Sequence, residues 1–311
     1  MIDAPEHNAT RASEAGPLVS VIIPVYNCSN TLRRALSSVA RQTMSNYEII
    51  VVDDGSTDGS AAVARSFTGI DIKVIRHEIN RGASVARNSG IRSARGTYIA
   101  LLDSDDEWFP HKLEKQLHFL TDSTHQRSVC CSAYLFFKRD VEGGITINSG
   151  SDDTPPNLLW GCTLSPGTTL VANRACFEQV GLFDKSLKRL EDWDWLLRCS
   201  RRYHIYVFPE PLARVYSSPT IANSIHVTQA LRRMNERRAL YGLNWATPID
   251  LLQFRSTIFL ERAAIYYRRG HILPALWNGL LSFVIYPFRN RAFFRKVTNL
   301  MVRALTTRGT P

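Results

Sequence analysis

The sequence lacks the motifs of several common enzyme classes. No Gly-x-Gly-x-x-Gly follows the first predicted strand, and neither a Walker A loop nor a His-Glu-x-x-His pair occurs. A dinucleotide-dependent dehydrogenase, a P-loop nucleotidase and a zinc protease of this type are therefore disfavoured. The 6 cysteines include no Cys-x-x-Cys pair, so we expect reduced thiols in a cytoplasmic protein.

The chain also lacks a leader-like or membrane-spanning apolar run. Residues 1–16 are polar and are predicted to form a disordered arm. The most apolar stretch, Ile272–Phe288, is interrupted by two prolines and two polar residues, whereas a span needs about 20 apolar residues. We expect a cytoplasmic protein, with peripheral contact to the cytoplasmic face of a membrane as a further option.

Positive charge is concentrated at one end of the sequence. The formal net charge is +10, and Arg201–Pro311 holds 17 Lys+Arg against 4 Asp+Glu, so the first 200 residues are slightly acidic. This distribution disfavours a nucleic-acid partner. From Phe293 to Leu305, apolar and basic residues alternate at helical spacing, as in interfacial helices on anionic lipid. The alternative is a small helical bundle with solvated arginines.

The rest of the chain is organised around an apolar run that ends in acids. Tyr98–Leu102 has the composition of a buried parallel strand, and Asp103, Ser104, Asp105 and Asp106 follow at once. Ligands of open α/β sheets bind beyond the carboxyl ends of such strands. Adjacent carboxylates repel one another unless a cation or solvent lies between them. The run therefore predicts a site for a divalent cation, with space beside it for a phosphate. The alternative is that these acids cap the next helix.

Strand and helix patterns alternate along the first part of the chain. The predicted strands are Val19–Ile23, Tyr47–Val52, Ile70–Ile75 and Tyr98–Leu102, and the predicted helices are Thr31–Arg41, Ser60–Phe67, Ala83–Ala94 and Pro110–Leu120. Further strands are predicted at Ser128–Lys138, Gly144–Asn148, His204–Phe208 and Ala213–Ser217, with a helix from Leu190 to near Tyr203. The alternation predicts an α/β fold with a Rossmann-like, mostly parallel sheet flanked by helices.

Three regions are expected. Residues 1–16 are the arm, residues 17–220 the α/β domain, and residues 221–311 a helical, basic region. In the last region we predict a helical pair, Phe254–Arg269 and Leu273–Ile285, broken at Gly270-His271.

Five short segments occur in the order of the motifs of a known family. They are Ser20–Asn27, Val51–Asp58, Asn80–Asn88, Leu102–Asp106 and Glu191–Asp194. Together they resemble glycosyltransferase family 2, whose members have the GT-A fold. Each segment alone is weak, but five in order make a specific match. The resemblance implies a nucleotide-sugar donor, a divalent metal (Mn²⁺ or Mg²⁺) and inversion at the anomeric carbon.

The resemblance also implies roles for individual residues in the metal and nucleobase sites. Asp105 and Asp103 match the metal-binding Asp-x-Asp of the family, with Asp106 as an alternative ligand or a helix cap. Tyr26 matches a ring placed against the base, and Asp54 matches a carboxylate that accepts a hydrogen bond from it.

Further nucleotide contacts are expected around these residues. Pro24 supplies a carbonyl without a competing N–H, Asp53 serves the base or the ribose, and Ser104 lies within the acidic run. For Asp53 and Asp54 the alternative is a capped turn. Arg87 is expected to meet phosphate, with a surface ion pair as the equal alternative.

The candidate catalytic base lies in the Glu191-Asp192 pair. The family's base matches Asp192, and a carboxylate within reach can take the proton of an acceptor hydroxyl. Crowding by Glu191 and Asp194 beside two tryptophans predicts a raised pKa for Asp192. The alternative is an acidic first turn of a helix.

The sequence thus predicts a metal-dependent inverting glycosyltransferase of polysaccharide or glycan biosynthesis, acting on a saccharide or lipid-linked acceptor. A UDP-sugar is the expected donor, while thymine, guanine and cytosine donors stay open. The alternative is a catalytically inactive nucleotide-sugar or glycan-binding module. Intact acidic motifs disfavour it.

Overall fold

The computed structural model describes residues 16–68, 70, 72–125, 127–137, 145–147, 158–216, 224–241, 248–268 and 270–286. The chain forms two compact units. The first comprises residues 1–158 and 162–230, and the second comprises residues 159–161 and 231–311. Most of the predicted arm and the predicted boundary near residue 220 lie outside the described residues, so these limits stay predictions.

The first unit is built on one sheet of nine strands within the described residues. The strands are β1 Val19–Val25, β2 Tyr47–Asp53, β3 Ile72–Arg76, β4 Tyr98–Leu101, β5 Glu107–Trp108, β6 Ser128–Phe137, β7 Ile145–Ile147, β8 Val171–Asn173 and β9 His204–Tyr216. Their order is β3-β2-β1-β4-β8-β6-β9-β5, and β7 pairs with β6.

The helices of this unit connect the strands. They are α1 Ser29–Ala40, α2 Ser60–Arg65, α3 Ala83–Ser93, α4 Lys112–Thr121, α5 Pro166–Thr169, α6 Arg174–Val180 and α7 Glu191–Cys199, and α8 Ser224–Glu236 runs on into the second unit. Strands β3, β2, β1 and β4 pair in parallel, as their alternation with α1 to α3 predicts. The α/β class and the sheet flanked by helices are confirmed.

The core explains why the apolar runs form the central strands. Every residue of β1 and β4 is buried, so both faces of these strands are covered. On one side, the apolar residues of α1 at helical spacing pack onto the sheet; they are Leu32, Ala35, Leu36 and Val39. The carboxyl ends of β1, β2 and β4 consequently meet at one edge of the sheet.

Beyond β4 the sheet is mixed, because a short strand enters it. Strand β8 pairs antiparallel with both β4 and β6, and β9 then runs parallel to β6. The sequence did not predict β8 or α6. It predicted two strands at the end of this unit, and the structure has one, β9, which spans Pro209 and Pro211. Register irregularities around Ala133 of β6 accommodate the prolines.

The second unit contains the predicted helical pair. Its helices are α9 Pro248–Arg268 and α10 Ile272–Ile285, and the chain turns between them at Gly270, which has a φ of +77°. In the part of the chain that the structure describes, no helix has the length and apolarity needed to cross a membrane. The predicted amphipathic segment Phe293–Leu305 lies outside the described residues.

Candidate active site

The polar residues predicted at strand ends gather at the carboxyl edge of the parallel strands. Val25 of β1 lies beside Asp53 of β2 in the register. Strand β4 runs parallel to β1 and leads into the acidic loop at residues 103–106. Two elements from the second half of the unit, α5 and α7, complete the site through their contacts with Arg87 and the acidic loop.

Asp53 and Asp54 build the turn after β2. The Asp53 carboxylate is fully buried and accepts a hydrogen bond from Ser56 N at 2.9 Å. Its other oxygen is 3.4 Å from Arg76 Nε and has no hydrogen-bond partner among the described residues. This geometry is that of the capped turn. Direct contact of Asp53 with a nucleotide stays a prediction.

The Asp54 carboxylate fastens the loop before α3. One oxygen accepts hydrogen bonds from Arg81 N at 3.0 Å and from Gly82 N at 2.7 Å. The other oxygen is 2.7 Å from His77 Nδ1, and His77 Nε2 is 2.9 Å from Ser89 Oγ. A carboxylate only accepts, so His77 Nδ1 carries the proton. No sequence pattern indicated His77, because the contact is tertiary.

Pro24 and Tyr26 lie at the end of β1. Pro24 is buried within the strand, whereas the Tyr26 ring is 47 % exposed and open to a flat partner. Asn27 follows in the left-handed region with a φ of +52°, and its backbone N–H donates to Ser56 Oγ at 3.0 Å. The turns after β1 and β2 are therefore bonded to each other, which fixes the position of the Tyr26 backbone.

Arg87 of α3 joins the two predicted acidic motifs. Its Nη1 donates to Glu191 Oε1 and its Nη2 donates to Asp103 Oδ1, both at 2.6 Å. Burial alone would lower the pKa of Arg87, but the charges of Asp103 and Glu191 outweigh burial and raise it. Arg87 thus forms ion pairs, as the alternative predicted, but these pairs are buried and not at the surface. Contact with phosphate stays a prediction.

Gly167 of α5 is packed against this bridge. A Cβ at this position would lie 2.5 Å from Asp103 Oδ2 and 2.7 Å from Arg87 Nη2. Real Cβ atoms do not approach other atoms so closely. Glycine at this position therefore lets the backbone of α5 lie against the ion pair without displacing either side chain, and no sequence motif assigned this residue a role.

The acids of the loop after β4 have different environments. Burial and the charge of Asp103 raise the pKa of Asp105. Arg34 of α1 donates from Nη2 to the backbone carbonyl of Asp105. Asp106 is buried and accepts hydrogen bonds from Thr168 Oγ1 and from Tyr216 N, so it ties α5 and β9 to the loop. It is neither exposed as a ligand nor the cap of α4, which begins at Lys112.

The donor set at this loop fits a hard cation bound together with a phosphate. In the described ranges no group of three or more His, Cys, Asp or Glu side chains could hold a metal by itself. Asp105 is the better candidate ligand, because no other described residue donates a hydrogen bond to its carboxylate, whereas Asp103 is bonded to Arg87. Mg²⁺ is often held by one or two carboxylates and substrate phosphates.

The candidate base lies in the first turn of α7. Leu190, with a φ of +62°, precedes the turn. Asp192 is half-buried, and burial and the neighbouring Glu191 raise its pKa to about 6 although Arg87 opposes the shift. Asp192 Oδ1 accepts a hydrogen bond from Trp193 N at 2.8 Å. A carboxylate with a pKa near neutrality is suited to take a proton from a hydroxyl.

The surroundings hold α7 firmly in place. Trp193 Nε1 donates to Leu158 O at 2.8 Å, and Trp195 Nε1 donates to Gly181 O at 2.9 Å. Asp194 is buried and pairs with Arg198 at 2.9 Å. Both indoles are buried, so the helix that carries the candidate base is anchored in the core.

Comparisons with known proteins show which family the chain resembles. The model of the family described as Glycosyl transferase family 2 matches residues 20–179. An uncharacterized glycosyltransferase of Rickettsia prowazekii (strain Madrid E) is 28 % identical over 91 % of this chain and 95 % of its own length. The UDP-Glc:alpha-D-GlcNAc-diphosphoundecaprenol beta-1,3-glucosyltransferase WfaP of Escherichia coli is 32 % identical over 58 % of this chain and 68 % of its own length.

A solved structure shows the same fold. TarS 1-349 of S. aureus in complex with UDP-GlcNAc superposes with a TM-score of 0.60 and 18 % identity, covering 84 % of this chain and 90 % of TarS 1-349. This likeness confirms the GT-A-type α/β fold. The family model spans half of the chain, and the relatives are named glycosyltransferases. The chain therefore belongs to glycosyltransferase family 2 and is a glycosyltransferase.

Proposed function

We propose that this enzyme moves a hexose-type sugar from a nucleotide-diphosphate donor to a saccharide or lipid-linked acceptor, with inversion at the anomeric carbon. The observation that carries the proposal is the Arg87 bridge. It joins Asp103 of the loop after β4 to Glu191 of α7 through two bonds of 2.6 Å. The Arg87 side chain consequently links the proposed donor-binding loop to the turn of α7 that carries the candidate base.

The donor side is proposed to accept a UDP-sugar. Tyr26, directly after β1, offers an exposed ring to a base. The other proposed contacts lie at the same edge of the sheet: Pro24 and Asp53 at the ends of β1 and β2, and Asp54 and Ser104 in the loops after β2 and β4. The support from relatives is that WfaP is named a UDP-Glc transferase and that TarS was solved with UDP-GlcNAc. Asp54 already accepts three hydrogen bonds, so its proposed role toward a nucleobase uses the one remaining lone pair of about four.

Asp105, with Asp103 beside it, would hold Mn²⁺ or Mg²⁺ together with the diphosphate. The cation supplies positive charge that neutralises the leaving nucleotide diphosphate. The raised pKa of Asp105 supports this assignment, because a cation relieves the repulsion between the two carboxylates.

Asp192 is proposed to act as the general base. Its raised pKa of about 6 leaves it ionised at neutral pH and still basic enough to accept the proton of the attacking hydroxyl. Glu191, held by Arg87, keeps the first turn of α7 in position. Direct attack by the acceptor needs no covalent nucleophile and gives inversion.

The acceptor is proposed to be part of polysaccharide biosynthesis at the cytoplasmic side of the cell envelope. WfaP is named for a diphosphoundecaprenol acceptor, which is a lipid-linked sugar. By this analogy we infer a cytoplasmic enzyme that works at the membrane face, without a nucleic-acid partner.

The proposal is tested with a panel of nucleotide sugars, each in the presence of Mn²⁺ or Mg²⁺. Binding is measured as a thermal shift, and slow hydrolysis of the donor is measured as activity. One donor should raise the melting temperature only with metal. Asp105→Ala should lose this shift, and Asp192→Asn should keep it but lose transfer. Glu178→Gln, a 70 % exposed surface acid on α6, is the control and should behave as wild type. Absence of a shift with every donor and metal would refute the donor site.

A further inference from the structure

Helix α10 has the reverse of the usual distribution of side chains. Five of its large apolar side chains are between 44 and 79 % exposed, and the other four are partly exposed. The five exposed residues are Leu273, Trp277, Leu280, Phe283 and Val284. Its buried residues are small or polar; they are Ala275, Asn278 and Ser282. With 3.6 residues per turn the two sets lie on opposite sides of the helix. A surface helix of a soluble protein buries its apolar side instead.

The contact between α9 and α10 explains this reversal. Ser256 Oγ donates to Ser282 O at 2.9 Å, and Ser282 Oγ lies 2.8 Å from Ser256 O. Within α10, Asn278 Nδ2 donates to Pro274 O at 2.8 Å, so this buried amide is also satisfied. Helices joined by small and hydroxyl residues, with apolar side chains pointing outward, are typical of packing in lipid.

The charge of the sequence from Glu261 onward indicates which kind of partner the exposed face of α10 fits. Helix α10 has no charged residue, and after Glu261 the sequence contains 9 Lys and Arg but no Asp or Glu. A second copy of the chain would carry the same excess of basic residues in this part of its sequence, and like charges oppose self-association. The segment after residue 286 is itself basic. An anionic lipid surface is complementary in both charge and apolarity.

The length of the helix indicates how deeply it would enter the bilayer. Its 14 residues span about 21 Å at 1.5 Å per residue, shorter than a hydrocarbon core of about 30 Å. We propose that the face formed by Leu273, Trp277, Leu280, Phe283 and Val284, hereafter the α10 face, docks on an anionic membrane surface, with the helix in the interfacial region. This inference names the surface by which the enzyme would reach the membrane, and its biological role rests on the membrane location proposed above.

Vesicle flotation with the full chain tests the α10 face. Wild type should float with phosphatidylglycerol-containing vesicles and much less with phosphatidylcholine alone. The double substitution Leu273→Gln with Trp277→Gln should weaken binding at least about tenfold, because apolar area is lost from the interface. The matched control is Ile225→Gln, which removes a 53 % exposed apolar residue of α8 and should bind as wild type. Equal binding of the double variant and wild type would overturn the proposal.

Two further measurements distinguish membrane docking from self-association of the chain. Lipids with brominated acyl chains should quench wild-type tryptophan fluorescence, and Trp277→Phe should lose most of this quenching; unchanged quenching would overturn insertion at this face. Sedimentation should show a monomer; a dimer broken by the double substitution would assign the face to a second copy. Donor hydrolysis should be equal in all variants, so a failure of docking leaves the active-site proposal intact.

Discussion

At the scale of single residues, the site depends on one buried guanidinium that satisfies two acids. Arg87 has 6 % of its side chain exposed, and its partners come from α7 and from the loop after β4. Removing one member of a buried ion pair leaves an uncompensated charge. We expect Arg87→Met to lower the free energy of unfolding by about 3 kcal/mol in urea denaturation.

Arg95→Met is the control for this prediction. Arg95 also pairs with an acid, Glu48, but its side chain is 69 % exposed. Glu48 is itself only 10 % exposed, but it keeps the hydrogen bonds from Ser20 Oγ and Arg95 N in the variant, so loss of the solvated arginine should cost about 1 kcal/mol or less. Equal losses for the two variants would contradict the argument that burial makes the Arg87 bridge important.

Gly167 gives a second prediction at this scale. In Gly167→Ala the added Cβ pushes against Asp103 Oδ2 and Arg87 Nη2, so the side chains of this ion pair must shift and Asp103 is displaced beside Asp105. We expect donor hydrolysis to fall by about 100-fold, in keeping with the cost of about 1 Å of misplacement in an active site. Gly16→Ala, with no atom within 4 Å of its Cβ, should leave hydrolysis unchanged.

The pH dependence of the transfer rate gives a third prediction at this scale. Because burial and Glu191 raise the pKa of Asp192 to about 6, the carboxylate is ionised above pH 6 and protonated below it. Loss of the base as the pH falls should lower the transfer rate about tenfold per pH unit below 6. The residual rate of Asp192→Asn should not show this inflection. An inflection of the same size in Asp192→Asn would assign it to another group.

At the scale of helices and strands, prediction from sequence succeeded where burial is local and continuous. Strands β1, β2 and β4 were predicted to within two residues at either end, because both faces of each are covered and the apolar run is unbroken. Strand β8 has only three residues, too few for a periodic pattern. Strand β9 was split because its two prolines resemble strand ends.

Prediction of the candidate site from the sequence was limited in the same way, to what local patterns show. The acids at strand ends were found because the edge of a parallel sheet follows from the alternation of elements. The partners of these acids were not found: His77, Gly167 and Thr168 reach the site through tertiary contacts. The position of α5 depends on β8, so missing β8 also concealed Gly167.

Helix α4 carries an unusual buried lysine that is testable through stability. Lys112 is fully buried, and burial lowers its pKa to about 7. Its Nζ donates to Thr169 O at 3.0 Å and to Gln116 Oε1. Between pH 7 and 10.5 the unfolded chain binds more protons at this lysine than the folded chain does, so stability should rise with pH in this window.

Lys112→Met should remove this pH dependence. The Thr169 carbonyl keeps a partner, since Gln116 Nε2 donates to it at 3.1 Å. The difference in unfolding free energy between variant and wild type, measured by denaturation at pH 7 and at pH 10, should change by at most about 4 kcal/mol in favour of wild type at high pH. A difference that is independent of pH would show that Lys112 does not titrate in the folded chain.

At the scale of the whole molecule, each of the two compact units has a core of its own. Phe254 of α9 is fully buried in the second unit, with its ring 5.9 Å from that of Tyr241. The candidate active site is built from residues of the first unit. The two units should therefore respond to different perturbations.

Calorimetry of the full chain checks this expectation. Phe254→Ala should destabilise the second unit by about 3 to 5 kcal/mol through the cavity it leaves. UDP with Mn²⁺ at about 100 times its dissociation constant should stabilise the first unit by about 2.7 kcal/mol, in wild type and variant alike. Because the ligand binds residues of the first unit, its effect should survive the substitution undiminished. If Phe254→Ala abolished the stabilisation by UDP, the donor site would depend on the second unit, and the assignment of the whole site to the first unit would be wrong.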